Sequence, residues 1–166
     1  MSFDITRRVL TEDEAHLLSE ETRKSHHIGF ISSLLWKTFP HVWVATVDGV
    51  FVGVCVAFPL KAWVKFGPLV VFEKFQGKGY GRRLLTHAVN QYQHANLFVG
   101  SSHPKVHTII ESLGFEEEAS IFRVPFEVQR YLIRYILMRT SYAYLVDALR
   151  KKLLFRRGKY RYFLKR

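Results

Sequence analysis

The stretch that leaves a chain like this the fewest options is Leu69–Tyr92, LVVFEKFQGKGYGRRLLTHAVNQY. Its apolar, β-branched start (Leu69, Val70, Val71, Phe72) reads as a strand, and its middle carries a Gly at every second position, Gly77, Gly79 and Gly81. Leu84, Leu85, Ala88, Val89 and Tyr92 then recur at the helical period, so one helix face must pack on the sheet to which the strand belongs. The glycine loop therefore lies at a helix N-terminus. Amides there have no intrahelical partner, and the helix dipole adds about half a positive charge, a setting suited to phosphate. Glycines reach positive φ at little cost and let the amides of Gly77 to Arg82 close around a pyrophosphate, with Lys78, Arg82 and Arg83 beside them. Three alternating glycines flanked by cations weaken a bare turn unless a ligand compensates.

Spacing excludes two phosphate loops. A dinucleotide fingerprint has G-x-G-x-x-G with an acid about 20 residues on, whereas the spacing here is G-x-G-x-G and the next acid is Glu111. A Walker loop places Ser or Thr after Gly-Lys, and Gly77-Lys78 is followed by Gly79. Gln76-Gly77-Lys78-Gly79-Tyr80-Gly81 instead resembles the Q/R-x-x-G-x-G/A signature of the GNAT acetyltransferases, in the order strand, motif, amphipathic helix. A short helix ending Leu113-Gly114-Phe115 directly before a strand is a second point of resemblance. The likeness covers roughly residues 3 to 139. It implies an α/β (α+β) fold with a mixed, mostly antiparallel central sheet flanked by helices, and a basic C-terminal helical extension. On that reading residues 1–139 form the acetyltransferase domain, and residues 140–166 an extension packed on or tethered to it.

The resemblance also implies a site. Gln76, Gly77, Lys78, Gly79, Tyr80, Gly81 and Arg82 would hold the pyrophosphate of acetyl-CoA, and the amides of Val70, Val71 and Phe72 would bond the pantetheine arm and polarise the thioester carbonyl. The next strand, Leu97 to Val99, would splay away to leave a slot. Acetyl transfer to an amine asks for orientation, removal of a proton from the ammonium and protonation of the departing thiolate. Glu73, at the end of the central strand, is the candidate base. It occupies the Pro position of the family's Pro-Asp or Pro-Glu pair, so a solvated strand-end carboxylate, with ordered water as base, is an equal reading. The usual acid, a Tyr four residues before the Gly of Gly-Phe, is replaced by Ile110. His103 is the best substitute, ahead of Ser102 and His107, with a plain helix cap as its alternative; a thiol of pKa about 8.5 also leaves without much help.

Around this core the sequence predicts a strand over Phe3 to Val9 and a capping box at Thr11-Glu12-Asp13-Glu14 that starts a helix. A second helix is expected over Ile28 to Lys37, after a polar loop holding His26 and His27, which as neighbours share no face for a metal. Asp48-Gly49 between apolar runs predicts a hairpin, and Pro59 and Pro68 are expected to bracket the following strand. Cys55 lies among valines and reads as packing. Trp36, Phe39 and Trp43 read as core ahead of acceptor-pocket wall. Pro104 opens a helix that Gly114 ends, and a strand is expected from Phe115 to Val124. Ile133 to Arg139 is taken as the final strand, although Arg130 and Arg134 at i, i+4 also suit a helix. Ser141 then caps a helix from Tyr142 to about Phe155 with a Leu145-Leu149-Leu153 stripe and Asp147 facing Lys151.

Of the net charge of +11, residues 126–166 carry 12 Lys/Arg against 2 Asp/Glu, interleaved with nine aromatics. Three uses follow: RNA or ribosome binding, contact with an anionic surface or acidic protein through residues 141–166, or a solvated face. One cysteine, no metal-ligand spacing, no span of about 18 apolar residues and no secretory leader point to a cytoplasmic protein. The function expected is N-acetyl transfer from acetyl-CoA to a primary amine, with an acceptor associated with RNA, the ribosome or a protein. The alternatives are a non-catalytic module acting through its basic tail and a small-molecule acetyltransferase.

Overall fold

The T-x-x-E pattern does what its chemistry predicts: the Glu14 N–H donates to the Thr11 hydroxyl at 3.2 Å and the Thr11 N–H donates to the Glu14 carboxylate at 2.9 Å. In the computed structural model, which describes residues 2–154 and 159–166, this box opens α1 (Glu12–Lys24) directly after β1 (Phe3–Arg7). The second helix is shorter than expected. Residues 26 to 32 form a loop, and α2 is confined to Ser33–Lys37, capped by the Ser32 hydroxyl. The reason lies in the loop's amides, which are spent on tertiary contacts: Ile31 N–H on Thr22 Oγ1 (3.3 Å) and Phe30 N–H on Asp147 Oδ2 (3.0 Å).

The hairpin forms as predicted, β2 (His41–Val47) and β3 (Val50–Pro59) joined by Asp48 and Gly49 at φ 48° and 78°. The strand expected between Pro59 and Pro68 and the one expected from Leu69 are a single strand, β4 (Trp63–Val71). Pro68 is tolerated inside it because the register with β3 slips there, Cys55 pairing with Leu69 and Ala57 with Phe66, so no ladder donor is required of the proline. A crossover through α3 (Tyr80–Asn90) leads to β5 (Asn96–Ser101), which pairs parallel with β4; every other pairing described is antiparallel. α4 (Pro104–Ser112) follows and ends at Gly114, φ 81°.

The region after α4 departs from expectation. The predicted Phe115–Val124 strand is cut to β6 (Glu116–Glu118), since Ser120 caps a one-turn helix over Ile121–Arg123. The segment taken as the final strand, Ile133 to Arg139, is the second half of a helix, α5 (Phe126–Arg139). Helical spacing wins there because Tyr131 and Tyr135, one turn apart, both pack on Phe58, at ring centroid distances of 5.2 and 5.9 Å. α6 (Tyr142–Leu154) comes next, its first turn bonded to the Ser141 hydroxyl, and the last strand is β7 (Arg161–Lys165).

The sheet order is β1-β2-β3-β4-β5-β7-β6. Because β7 lies between β5 and β6, the 140–166 segment supplies an interior strand, and a cut after residue 139 removes it. Alternation along β7 sends Phe163 into the layer under α3 and α4, with Leu84, Leu85 and Ile110, and Leu164 to the opposite face with Trp63 and Phe98. The aromatics read as stacking groups for RNA are thus partly core. The cations beside them are engaged too: Arg161 with Glu117 and Glu111, Arg166 with Glu118, and Lys165 with the Leu113 carbonyl that ends α4. The other face of the sheet is covered by α1 and α2, where Trp36 and Phe39 are buried; Trp43 is buried under α3, so all three are core.

α6 is tied to this second layer by polar groups. Lys151 Nζ lies 2.9 Å from Asp147 Oδ2 and donates to the carbonyls of Thr22 (2.6 Å) and Ile28 (3.0 Å), and both side chains are buried.

Candidate active site at the β4–β5 splay

β4 and β5 pair only from Trp63–Asn96 to Phe66–Val99. Beyond that point β4 stays on β3 while its other edge opens, which is the expected slot. Phe72 N–H donates to the Val52 carbonyl at 3.0 Å, so it faces β3, and the two-residue alternation of a strand turns the Val70 N–H the same way. Of the three amides expected to bind pantetheine, only that of Val71 is on the open edge. The Val71 carbonyl, on the same edge, accepts from Gln76 Nε2 at 2.9 Å. Gln76 therefore fixes the end of the strand, and its own N–H is taken by the Glu73 carbonyl (3.1 Å).

A single turn over Glu73–Phe75 carries the chain into the glycine loop. Gly77 and Gly79 have φ of 79° and 80°, and a Cβ built on either meets nothing of the protein within 4 Å. Positive φ together with open space on the side-chain face is what a backbone needs to touch a ligand directly. The first bond of α3 runs from Arg83 N–H to the Gly79 carbonyl (3.1 Å), which leaves the amides of Tyr80, Gly81 and Arg82 without intrahelical acceptors. No side chain caps this helix start. Side chains of the loop are partly engaged elsewhere: Tyr80 stacks on Phe3 at 5.0 Å, Arg83 lies 4.1 Å over the same ring, and Arg82 donates to Ser112 Oγ at 3.0 Å. Lys78 remains beside the loop, 5.9 Å from the Phe75 ring. This cradle of amides, open space and positive charge fits a diphosphate.

Glu73 is exposed, and its N–H donates to Glu21 Oε1 at 2.9 Å, so the end of β4 is joined to α1. His103 caps α4: its Nδ1 accepts from Lys105 N–H at 3.2 Å, which places the ring proton on Nε2 in the neutral form. Its ring packs on His27 at 4.2 Å. Burial, and then the neighbouring His27, Lys105 and His107, hold its pKa below the ordinary imidazole value. His107 serves the fold, its Nε2 on the Ser101 carbonyl (2.9 Å) and its ring on Phe163. Ile110 is fully buried in the α4 layer. Cys55 is buried and its thiol is pushed up to about 12 by desolvation, as packing predicts. Among the described residues no group of three His, Cys, Asp or Glu side chains is placed to hold a metal.

Sequence reasoning missed two groups beside the splay and the α4 cap. Lys65 is buried where β4 leaves β5, with Nζ 2.5 Å from the Gly67 carbonyl and about 5 Å from the rings of Phe58 (4.9 Å) and Tyr135 (5.0 Å). A lone cation inside the apolar run Trp63-Val64-Lys65-Phe66 was the signal. His27, read as loop surface, is the other, brought to His103 by the loop that replaces the first half of the expected second helix.

The whole chain superposes on solved acetyltransferases. It matches the N-acetylglutamate synthase of Neisseria gonorrhoeae complexed with coenzyme A and N-acetyl-glutamate at TM-score 0.70 and 16% identity, over all of this chain and 35% of that one. The chain thus spans about a third of that synthase's length. It matches yncA of Salmonella typhimurium, solved with its cofactor acetyl-CoA, at TM-score 0.63 and 14% identity, over 98% and 94% of the two chains. It matches the IAA acetyltransferase of Bacillus cereus at TM-score 0.55 and 25% identity, over 71% and 79%. No curated protein matches the sequence. Residues 39–117, which run from the hairpin through the splay, the glycine loop and α4 to β6, match the family model of the acetyltransferase (GNAT) domain, so this part of the chain is similar to the GNAT acetyltransferases.

Proposed function

We propose that this chain transfers the acetyl group of acetyl-CoA to a primary amine. The observation that carries the reading is the uncapped start of α3, where three orphan amides and two positive-φ glycines face open space beside the unpaired edge of β4. Acetyl-CoA supplies the thioester. Gly77 to Arg82 hold its pyrophosphate with backbone amides, Lys78 adds charge, and Val71 orients the pantetheine arm with its N–H. Glu73 takes a proton from the acceptor, directly or through water, and His103 donates a hydrogen bond from Nε2–H to the leaving thiolate, which takes its proton from solvent. Solved structures of this fold hold coenzyme A or acetyl-CoA, which supports the choice of cofactor. An acceptor associated with RNA, the ribosome or an acidic protein draws its support from the charge of residues 126–166 alone, since Phe163 is core and Arg161 is paired.

Titration calorimetry and a melting scan with acetyl-CoA and CoA test the cofactor. Saturation at about 100 times the dissociation constant adds about 2.7 kcal/mol of stability, and Gly79→Glu abolishes the gain by placing a carboxylate in the cradle. Absence of binding heat and of any melting shift sinks the proposal. A second reading, a CoA-binding module without turnover, is favoured by Ile110, buried where the family's acid stands. Thioester consumption with a panel of amines, peptide N-termini and small metabolites separates the two.

A further inference from the structure

α6 is built inside out. Successive residues turn by about 100° around a helix, so Leu145, Leu149 and Leu153 form one stripe and Asp147 and Lys151 the opposite one. The polar stripe faces the protein, Asp147 7% and Lys151 1% exposed, while the leucines are 55%, 61% and 77% exposed. The end of α5 behaves alike, with Ile133 at 61% and Leu137 at 68%. Arg150 and Lys152 flank the leucine stripe and are exposed. From Val128 to Leu154 the only acid is Asp147, which is buried against Lys151. The α5–α6 segment therefore presents an apolar face whose own exposed charges are cationic.

We infer that the outer face of α6, with the adjoining end of α5, docks on an anionic lipid bilayer. Lipid meets both halves of the surface, the acyl boundary taking the leucines and anionic headgroups the cations. A second copy would set Arg150 and Lys152 against like charges across a two-fold axis, and a nucleic acid offers nothing to the leucines. The mode is peripheral: thirteen residues rise about 20 Å, short of the roughly 30 Å hydrocarbon core, and no described helix is long and apolar enough to cross a membrane.

Co-sedimentation of the full chain with phosphatidylcholine vesicles and with mixed phosphatidylcholine/phosphatidylglycerol vesicles tests this. Binding is expected to the mixed vesicles alone, and to weaken with salt. Leu149→Glu/Leu153→Glu should abolish it, and Arg150→Glu/Lys152→Glu should weaken it by about 25-fold or more, at about fivefold per cation. Both changes are at exposed positions, so the melting shift with CoA reports an intact fold in each. Equal retention by neutral and anionic vesicles, or by neither, overturns the inference. So does retained binding in the leucine variant, which assigns the attraction to charge alone and leaves the leucine face without a lipid role, and so does a solution dimer broken by Leu149→Glu, which assigns that face to a second copy.

Discussion

α3 and α6 carry comparable apolar stripes and turn them in opposite directions. In α3 the stripe of Leu84, Leu85, Ala88 and Val89 is buried against the sheet and Arg82 and Arg83 are exposed. In α6 the leucines are exposed and an ion pair is buried. Periodicity identifies a face; what that face meets depends on the partners offered. The sheet offers α3 a flat apolar layer. The last turn of α1 and the loop after it offer α6 the carbonyls of Thr22 and Ile28 and the N–H of Phe30, groups that need charged or polar partners.

The sharpest way to break this comparison is at the buried pair. Lys151→Met leaves the Asp147 carboxylate uncompensated and two carbonyls without their donor. The expected cost is about 3 to 5 kcal/mol, read from urea unfolding, with early hydrogen exchange at the Phe30 amide. A cost near zero means that α6 is held by something other than its polar side.

Truncating one leucine in each helix comes next. Leu84→Ala removes a fully buried side chain and should cost about 2 to 5 kcal/mol, whereas Leu149→Ala, at an exposed position, should stay within about 0.5 kcal/mol. Similar losses in both would place the leucine face of α6 in the core and end the inside-out description.

The same contrast explains what could be read from the chain. The strand, glycine loop and α3 were legible because local chemistry and tertiary role agree: the residues that need positive φ are glycines, and the stripe faces the nearest apolar surface. The Asp48-Gly49 hairpin, the Thr11 box and the packing role of Cys55 were legible for similar reasons. The segment after β6 was not. Cations interleaved with aromatics in Lys159 to Arg166 read as a binding or solvated stretch; that Tyr162-Phe163-Leu164 is a strand depends on Glu117, Glu118 and the Leu113 carbonyl, distant in sequence, which receive Arg161, Arg166 and Lys165. The helix over Ile133 to Arg139 was hidden because a partner strand was expected there, and β7, which starts 22 residues after Arg139, fills that place. In the candidate site the loop could be located from glycine spacing. That Val71, and not Val70 or Phe72, presents its amide required the register with β3.

Helix starts extend the comparison to a smaller effect. α3 opens without a side-chain cap, while α4 is closed by His103, whose Nδ1 accepts the Lys105 N–H. Protonation of that nitrogen destroys the cap, and burial with the surrounding positive groups already holds the folded pKa below the ordinary 6.5. The sign follows from linkage. Above the unfolded value both states are neutral and the cap is complete; as pH falls below it the unfolded chain takes up a proton that the folded chain resists, so stability declines toward the folded pKa. His103→Asn keeps a capping side chain and removes the titration. Its stability at pH 8 should lie within about 1 kcal/mol of the parent, and the parent's extra loss between pH 7 and pH 5 should vanish, as measured by chemical unfolding across that range. Parallel curves for the two proteins would show that the His103 cap at the start of α4 does not sense pH.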